Sequence, residues 1–189
     1  SERLTYGSHN VYLNDISPDG KKLLCSTSKP DITRCPFSLS SLFEIDLATL
    51  QADTLVAWDA YLGSASYSPD GKQLLVTGSP SAFGGIGKNC GEHPIANDFD
   101  TQAFIMDLAT KKVQAITRDF NPTVSPVQWN RVDGCIYFDT TDGDCRHIYR
   151  YVLKTGGFEM LPLEEDVITS FTLANDKQSF TALSQFLAE

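Results

Sequence analysis

The octapeptide SPDGKKLL at Ser17–Leu24 returns as SPDGKQLL at Ser68–Leu75, altered at one position. In a chain of 189 residues this repeat constrains the fold more than any bulk property, because a duplicated structural unit keeps its turn chemistry while the rest drifts. Proline fits the second position of a tight turn, where its φ is already set, and Asp-Gly supplies residues that tolerate positive φ. Apolar, strand-like runs flank the turn. The unit reads strand, turn, strand: Val11–Ile16 into Lys22–Thr27, and Ser64–Tyr67 into Gln73–Thr77.

A second element accompanies the first. LFEIDLATLQADTLV (Leu42–Val56) and AFIMDLATKKVQAIT (Ala103–Thr117) each place an Asp-Leu-Ala-Thr turn between two strands. A diverged third copy, Ile148–Leu163, turns at LKTGG; its partner is Val127–Thr140, with Val132-Asp133-Gly134 in place of Pro-Asp-Gly. A fourth hairpin starts within Ile168–Leu183, with Asn175-Asp176-Lys177 at the turn. Gly20, Gly71, Gly134 and, in the matching place, Asp176 recur at intervals of roughly forty to sixty residues. A period of that order with four short strands per repeat is that of propeller blades. Inserts between the second and third strands, Ser28–Ser41 and the longer Ser79–Gln102, account for the wider intervals. No segment sustains the i, i+3, i+4, i+7 apolar spacing of a helix over three turns.

The expected fold is all-β: a partial β-propeller of about three four-stranded antiparallel blades plus the first hairpin of a fourth. Blade 1 is placed at about 9–57, blade 2 at about 63–117, blade 3 at about 125–163 and the half blade at 167–186, all within one incomplete domain over 1–189. Propellers close with about four to eight blades. The sequence is therefore expected to be a piece of a longer ring, with apolar faces open at both end blades.

Composition removes some functions. A formal net charge of −9 argues against nucleic acid or an anionic membrane as partner. No apolar run approaches the roughly 20 residues needed to span a bilayer, and SERLTYGSHN carries no apolar signal core. The cysteines Cys25, Cys35, Cys90, Cys135 and Cys145 are odd in number and contain no CxxC pair, so no zinc site is expected. Cys35 and Cys90 lie in equivalent inserts, and a disulfide between them and two independent thiols both stay open.

SPDGKKLL and SPDGKQLL resemble the WD40-like Pro-Asp repeat of Tol-type propellers. Gly78–Val124, GSPSAFGGIGKNCGEHPIANDFDTQAFIMDLATKKVQAITRDFNPTV, resembles a blade of the N-terminal propeller of exported bacterial peptidases of the prolyl oligopeptidase family. That group includes dipeptidyl peptidase IV and the acylaminoacyl peptidases. The resemblance covers essentially the whole chain, as propeller. It implies a periplasmic or otherwise exported parent protein whose partners for this segment are the remaining blades, an α/β-hydrolase domain and a peptide substrate. The propeller's role would be to gate and orient that peptide. The alternative is a non-catalytic Tol-type propeller that docks other proteins. No cofactor is implied by either.

No catalytic residue is assigned in this chain. GSPSA at Gly78–Ala82 and GSAS at Gly63–Ser66 lack the second glycine of a GxSxG elbow, and His9, His93 and His147 have no nearby partner set. GGIGKN at Gly84–Asn89 fails as a phosphate loop, having Ala82 where a glycine is needed and Asn89 after the lysine. DTTDGDC at Asp139–Cys145 gathers three carboxylates without calcium-loop order, and Asp142-Gly143 reads as a type I′ hairpin turn. Trp58, Trp129 and Tyr137 offer either a ligand platform or packing; Trp129, in a strand just before a turn, reads as blade-to-blade packing. Because loops on a rigid scaffold carry function, the substrate-contact residues are placed in the second insert: Glu92, His93, Asp98 and Asp100. The competing account of those four is a solvated loop rim.

Overall fold

The structure, a computed structural model, describes residues 9–89, 100–164, 167–173 and 180–185. It divides into two compact units, Ser1–Arg118 and Asp119–Glu189. The described residues are almost entirely strand and turn.

The first unit holds the two full repeats. Strands β1 (Val11–Ile16), β2 (Lys22–Pro30), β3 (Ser38–Asp46) and β4 (Ala52–Asp59) form one antiparallel sheet in chain order. Strands β5 (Leu62–Tyr67), β6 (Gln73–Gly78), β7 (Gln102–Asp107) and β8 (Val113–Ala115) form a second of the same order. In β7 the consecutive residues Ala103–Met106 are all buried, so both faces of this inner strand are covered. One apolar cluster joins Leu24, Leu42 and Leu55 of the first sheet to Tyr67, Leu74, Val76, Phe104 and Met106 of the second. Each such side chain contributes about 1.5–3 kcal/mol on full burial, which is what holds two thin sheets face to face.

The repeated octapeptide is explained by its hydrogen bonds. Gly20 N–H donates to Ser17 C=O (2.8 Å) and Gly71 N–H to Ser68 C=O (2.9 Å), with φ of 70° and 69° at the two glycines. Ser17 Oγ donates to Asp19 Oδ1 at 2.7 Å while accepting the Lys21 and Lys22 N–H groups. Ser68 Oγ likewise donates to Asp70 Oδ1 at 2.7 Å and accepts from Gln73 N–H. Serine, aspartate and glycine are thus all needed, and proline presets the second turn position. Only the glycine, not the aspartate, takes positive φ.

The Asp-Leu-Ala-Thr turns also repeat atom for atom. Asp46 Oδ1 accepts from Thr49 N–H (2.8 Å), and Asp107 Oδ1 from Thr110 N–H (2.8 Å) and its hydroxyl (2.7 Å). Leu50 and Lys111 then take positive φ to close the loop. Within each sheet the two turns are tied: Leu47 N–H donates to Lys21 C=O and Leu108 N–H to Lys72 C=O.

The inserts differ from expectation. Half of Ser28–Ser41 is not loop: Ser28 pairs with Ser40, Lys29 with Leu39 and Pro30 with Ser38, leaving 31–37 as the tip. The ladder ends at Pro30, which has no N–H to donate. The second insert opens with a short helical turn, Ala82–Gly85, in which Phe83 (φ 54°) and Gly84 (φ 75°) leave helical geometry.

The second unit contains β9 (Thr123–Trp129), β10 (Ile136–Asp142), β11 (Cys145–Val152) and β12 (Gly157–Met160) as an antiparallel sheet. Beyond it β13 (Val167–Leu173) and β14 (Phe180–Gln185) form the expected further hairpin, linked to β11 by one parallel pair, Arg146 with Val167. Tyr137, Ile148, Ile168 and Phe171 pack on one face. On the other, Phe120 stacks on Phe158 (4.4 Å, 17°) and meets Phe138 and Tyr149 edge-on or tilted. Two turns depart from the sequence reading. Gly134 N–H reaches Asn130 C=O, one residue further than Gly20 reaches, so this loop matches the Asp-Leu-Ala-Thr geometry. Asp142 pairs with Cys145, so the two-residue loop is Gly143-Asp144, with positive φ at Gly143 alone. That is the pattern of a type II′ turn, in place of the expected type I′.

Candidate functional site

In an antiparallel four-stranded sheet, the first and third connections lie at one end and the second at the other. In the first unit the repeated tight turns therefore share one end. The ribbon tip 31–37, the second insert and the β4–β5 connection share the opposite end, where the two repeats no longer match.

At that second end, Asp31 organises the ribbon tip. Its carboxylate accepts from Thr33 N–H (3.1 Å) and the Thr33 hydroxyl (2.6 Å) and pairs with Arg34 (3.0 Å). Those hydrogen bonds, and then Arg34, hold its carboxyl below the ordinary aspartate range. The tip projects Ile32, 85% exposed, and Phe37, 65% exposed. Cys35 is an exposed thiol beside a cis Cys35–Pro36 bond; Cys90 lies outside the described residues.

Beside the ribbon stands Trp58, whose φ of 50° is unusual for a bulky side chain. The Lys29 ammonium lies 4.0 Å from its ring centroid, and the His9 ring meets it edge-on at 6.0 Å. The next residue anchors the turn: Asp59 Oδ1 accepts from Tyr61 N–H (2.8 Å) and Oδ2 from Phe83 N–H (2.7 Å). Phe83 in turn meets Phe104 of the core at 5.1 Å. A strained tryptophan, a half-buried lysine and the root of the second insert are thereby held together. Backbone strain of this kind costs about 1–3 kcal/mol and persists where surroundings over-determine it.

Of the substrate-contact residues expected from sequence, Glu92, His93 and Asp98 lie outside the described residues, and Asp100 sits half-buried where the insert returns to β7. In the sequence Trp58 stands only as one of three aromatics, with Trp129 and Tyr137. Its signal, a Trp-Asp pair at the end of an outer strand, becomes legible once β2 is seen to extend to Lys29.

The turn-bearing end holds a different polar group. A cavity of about 350 Å³ is lined by Ser17, Asp19, Lys22, Glu44, Tyr67 and Asp70. Glu44, 5% exposed, accepts from the Tyr67 hydroxyl (2.7 Å) and pairs with Lys22 (2.9 Å), while Asp15 Oδ2 accepts from Tyr67 N–H (2.8 Å). Burial and then Glu44 hold the Tyr67 hydroxyl well above the usual phenol range, and Glu44 raises Lys22. A neutral phenol donating to a paired carboxylate is a latch between sheets.

In the second unit the three carboxylates of DTTDGDC do not converge. Asp139, 1% exposed, turns inward to the Arg146 guanidinium, while Asp142 and Asp144 face solvent. Burial pushes the Asp139 carboxyl up, against the pull of Arg146. Among the described residues no group of three His, Cys, Asp or Glu side chains gathers as a metal site. Trp129 donates its indole N–H to Gly134 C=O of its own turn, and Tyr137 its hydroxyl to Asp133 (2.6 Å), so both are tied into the loop that joins their strands.

No protein-family model and no curated protein matches the sequence. Solved structures do match. TolB from Acinetobacter baumannii aligns with a TM-score of 0.65 at 20% identity, covering 98% of this chain and 40% of that one. An oligogalacturonate lyase in complex with manganese aligns with a TM-score of 0.63 at 14% identity, over 90% of this chain and 44% of its own. An acylaminoacyl peptidase aligns with a TM-score of 0.51 at 16% identity, over 82% and 25%. This chain thus spans less than half the length of each. At these identities the likeness is one of fold: an all-β, propeller-type arrangement of antiparallel blades, part of a β-propeller.

Proposed function

We propose that this chain is a recognition segment of a larger exported propeller protein, a non-catalytic scaffold whose insert-bearing end docks another protein. The observation that carries the reading is the contrast between the two ends of the first unit. At one end Ser17/Asp19 and Ser68/Asp70 repeat the same bonds. At the other the repeats diverge into a projecting ribbon, a strained tryptophan and a long insert. Conserved geometry at one end and divergence at the other is how a rigid scaffold carries variable contacts. The likeness to TolB over 98% of the chain supports the scaffold reading and, with it, export to the periplasm.

A second reading is favoured by the Gly78–Val124 resemblance and by the fold likeness to an acylaminoacyl peptidase. There the segment is the cap of a serine peptidase, gating peptides through Glu92, His93, Asp98 and Asp100, and a hydrolase domain supplies nucleophile, base and oxyanion hole. Fluorophosphonate labelling of the full-length parent protein separates the two. The scaffold reading expects no labelled serine in the folded protein; a serine labelled at a GxSxG elbow overturns it in favour of the cap.

A further inference from the structure

We propose that Lys29 and Trp58 form a docking spot for a carboxylate, so that the partner of this end is a peptide segment carrying Asp or Glu beside an apolar residue. The inference rests on the reading of this end as the contact end.

The argument begins with charge. The chain carries a net −9, and several cations of this unit are paired: Lys22 to Glu44, Arg34 to Asp31 and Lys111 to Asp53. Lys29 is half-buried yet has no carboxylate partner among the described residues; its ammonium rests over the Trp58 ring at 4.0 Å. A ring face attracts the charge but does not use up three N–H donors. The nearest acidic residue in sequence beyond the tryptophan, Asp59, is committed to Tyr61 N–H and Phe83 N–H. Asp31, at the tip, is committed to Thr33 and Arg34. These two carboxylates are therefore spent on backbone, hydroxyl and arginine, and among the described residues no carboxylate pairs with the lysine.

Position follows from the backbone. Positive φ at Trp58 and the two hydrogen bonds of Asp59 fix the ring under the ammonium. His9 closes the ring's edge. The ribbon that carries Lys29 ends in exposed Ile32 and Phe37, so a carboxylate on Lys29 has apolar surface further along the same ribbon. A charge-assisted hydrogen bond from a lysine is stronger than a neutral one, and complementary charge favours an acidic partner over a basic one.

Trp58 and Trp129 are the two tryptophans of the chain, so Trp129→Phe leaves Trp58 as the sole indole reporter. This variant is titrated with acetyl-Leu-Glu-Glu-Leu-amide and with its Gln-Gln counterpart. The expected result is a saturable change with the glutamate peptide, little with the glutamine peptide, and about tenfold weaker binding after Lys29→Gln. If Trp129→Phe loses its fold by circular dichroism, calorimetry on the unaltered chain and on Lys29→Gln gives the same comparison. Equal binding of both peptides, no binding of either, or an unchanged affinity in folded Lys29→Gln overturns the carboxylate assignment. Those outcomes leave the scaffold reading standing, since serine labelling of the parent protein tests it separately.

Discussion

The Tyr67 hydroxyl donates to Glu44 Oε1 at 2.7 Å, from the last residue of the second sheet's first strand to the third strand of the first sheet. Both partners are buried, and Lys22 completes the carboxylate from the solvent side. Removing the phenol oxygen with Tyr67→Phe leaves Glu44 its lysine and is expected to cost about 1–2 kcal/mol. Glu44→Ala strands both the phenol and the ammonium and is expected to cost about 3 kcal/mol or more. Urea unfolding of the two variants checks the order; equal losses contradict the latch.

Two glycines with the same φ have different surroundings. A Cβ at Gly20 meets nothing within 4 Å, whereas one at Gly71 comes within 3.2 Å of Pro18 Cδ. Gly20→Ala is therefore expected to cost about 1 kcal/mol, from left-handed backbone alone. Gly71→Ala is expected to cost measurably more, since proline cannot swing aside. Thermal unfolding of the pair reads the difference directly.

Acid should loosen the turns. Ser17 and Ser68 hydroxyls hold Asp19 and Asp70 below 3.8; Thr49 N–H and the Thr110 hydroxyl do the same for Asp46 and Asp107. A lowered folded-state value means each contributes stability that is present above 3.8 and lost as pH falls below it. Asp139 has the opposite sign: burial raises it, so its contribution is present at acid pH and lost as pH climbs past 3.8 toward its raised value. Melting temperature followed from about pH 5 to about pH 2.5 should fall. It should fall less steeply in the Asp46→Asn, Asp107→Asn double variant; an identical slope contradicts the assignment.

Exposed and buried aromatics separate stability from contact. Phe104→Ala, at a site with 0% exposure, is expected to cost about 3–5 kcal/mol. Ile32→Ser and Phe37→Ser, on the ribbon tip, are expected to stay within about 0.5 kcal/mol of the parent chain. A large loss of stability from either ribbon change, in chemical denaturation, would mean that the tip packs against something.

The repeats were legible because their chemistry is local. Ser-Pro-Asp-Gly and Asp-Leu-Ala-Thr specify their own hydrogen bonds within six residues, so strand positions in the first unit follow almost directly. Pairing beyond the turn was not local: the ladder that carries β2 to Pro30 depends on serines and a lysine with no apolar alternation. The slip from Asp142-Gly143 to Gly143-Asp144 has the same origin, since one register pair decides it. Nothing in LFEID itself marks Glu44 as a buried partner; the neighbouring sheet supplies the Tyr67 hydroxyl. At the candidate site, the sequence supplied the end of the fold and the aromatic, but not the lysine over the ring, because Lys29 stands 29 positions before Trp58.

The most direct test places a photoactivatable side chain at Phe37, on the insert-bearing end, and separately at Leu47, on the turn-bearing end, of the full-length parent protein in its native cell. The account predicts adducts with another polypeptide from Phe37 and none from Leu47. Adducts from Leu47 alone, or adducts from Phe37 only to a hydrolase domain of the same chain, would contradict it.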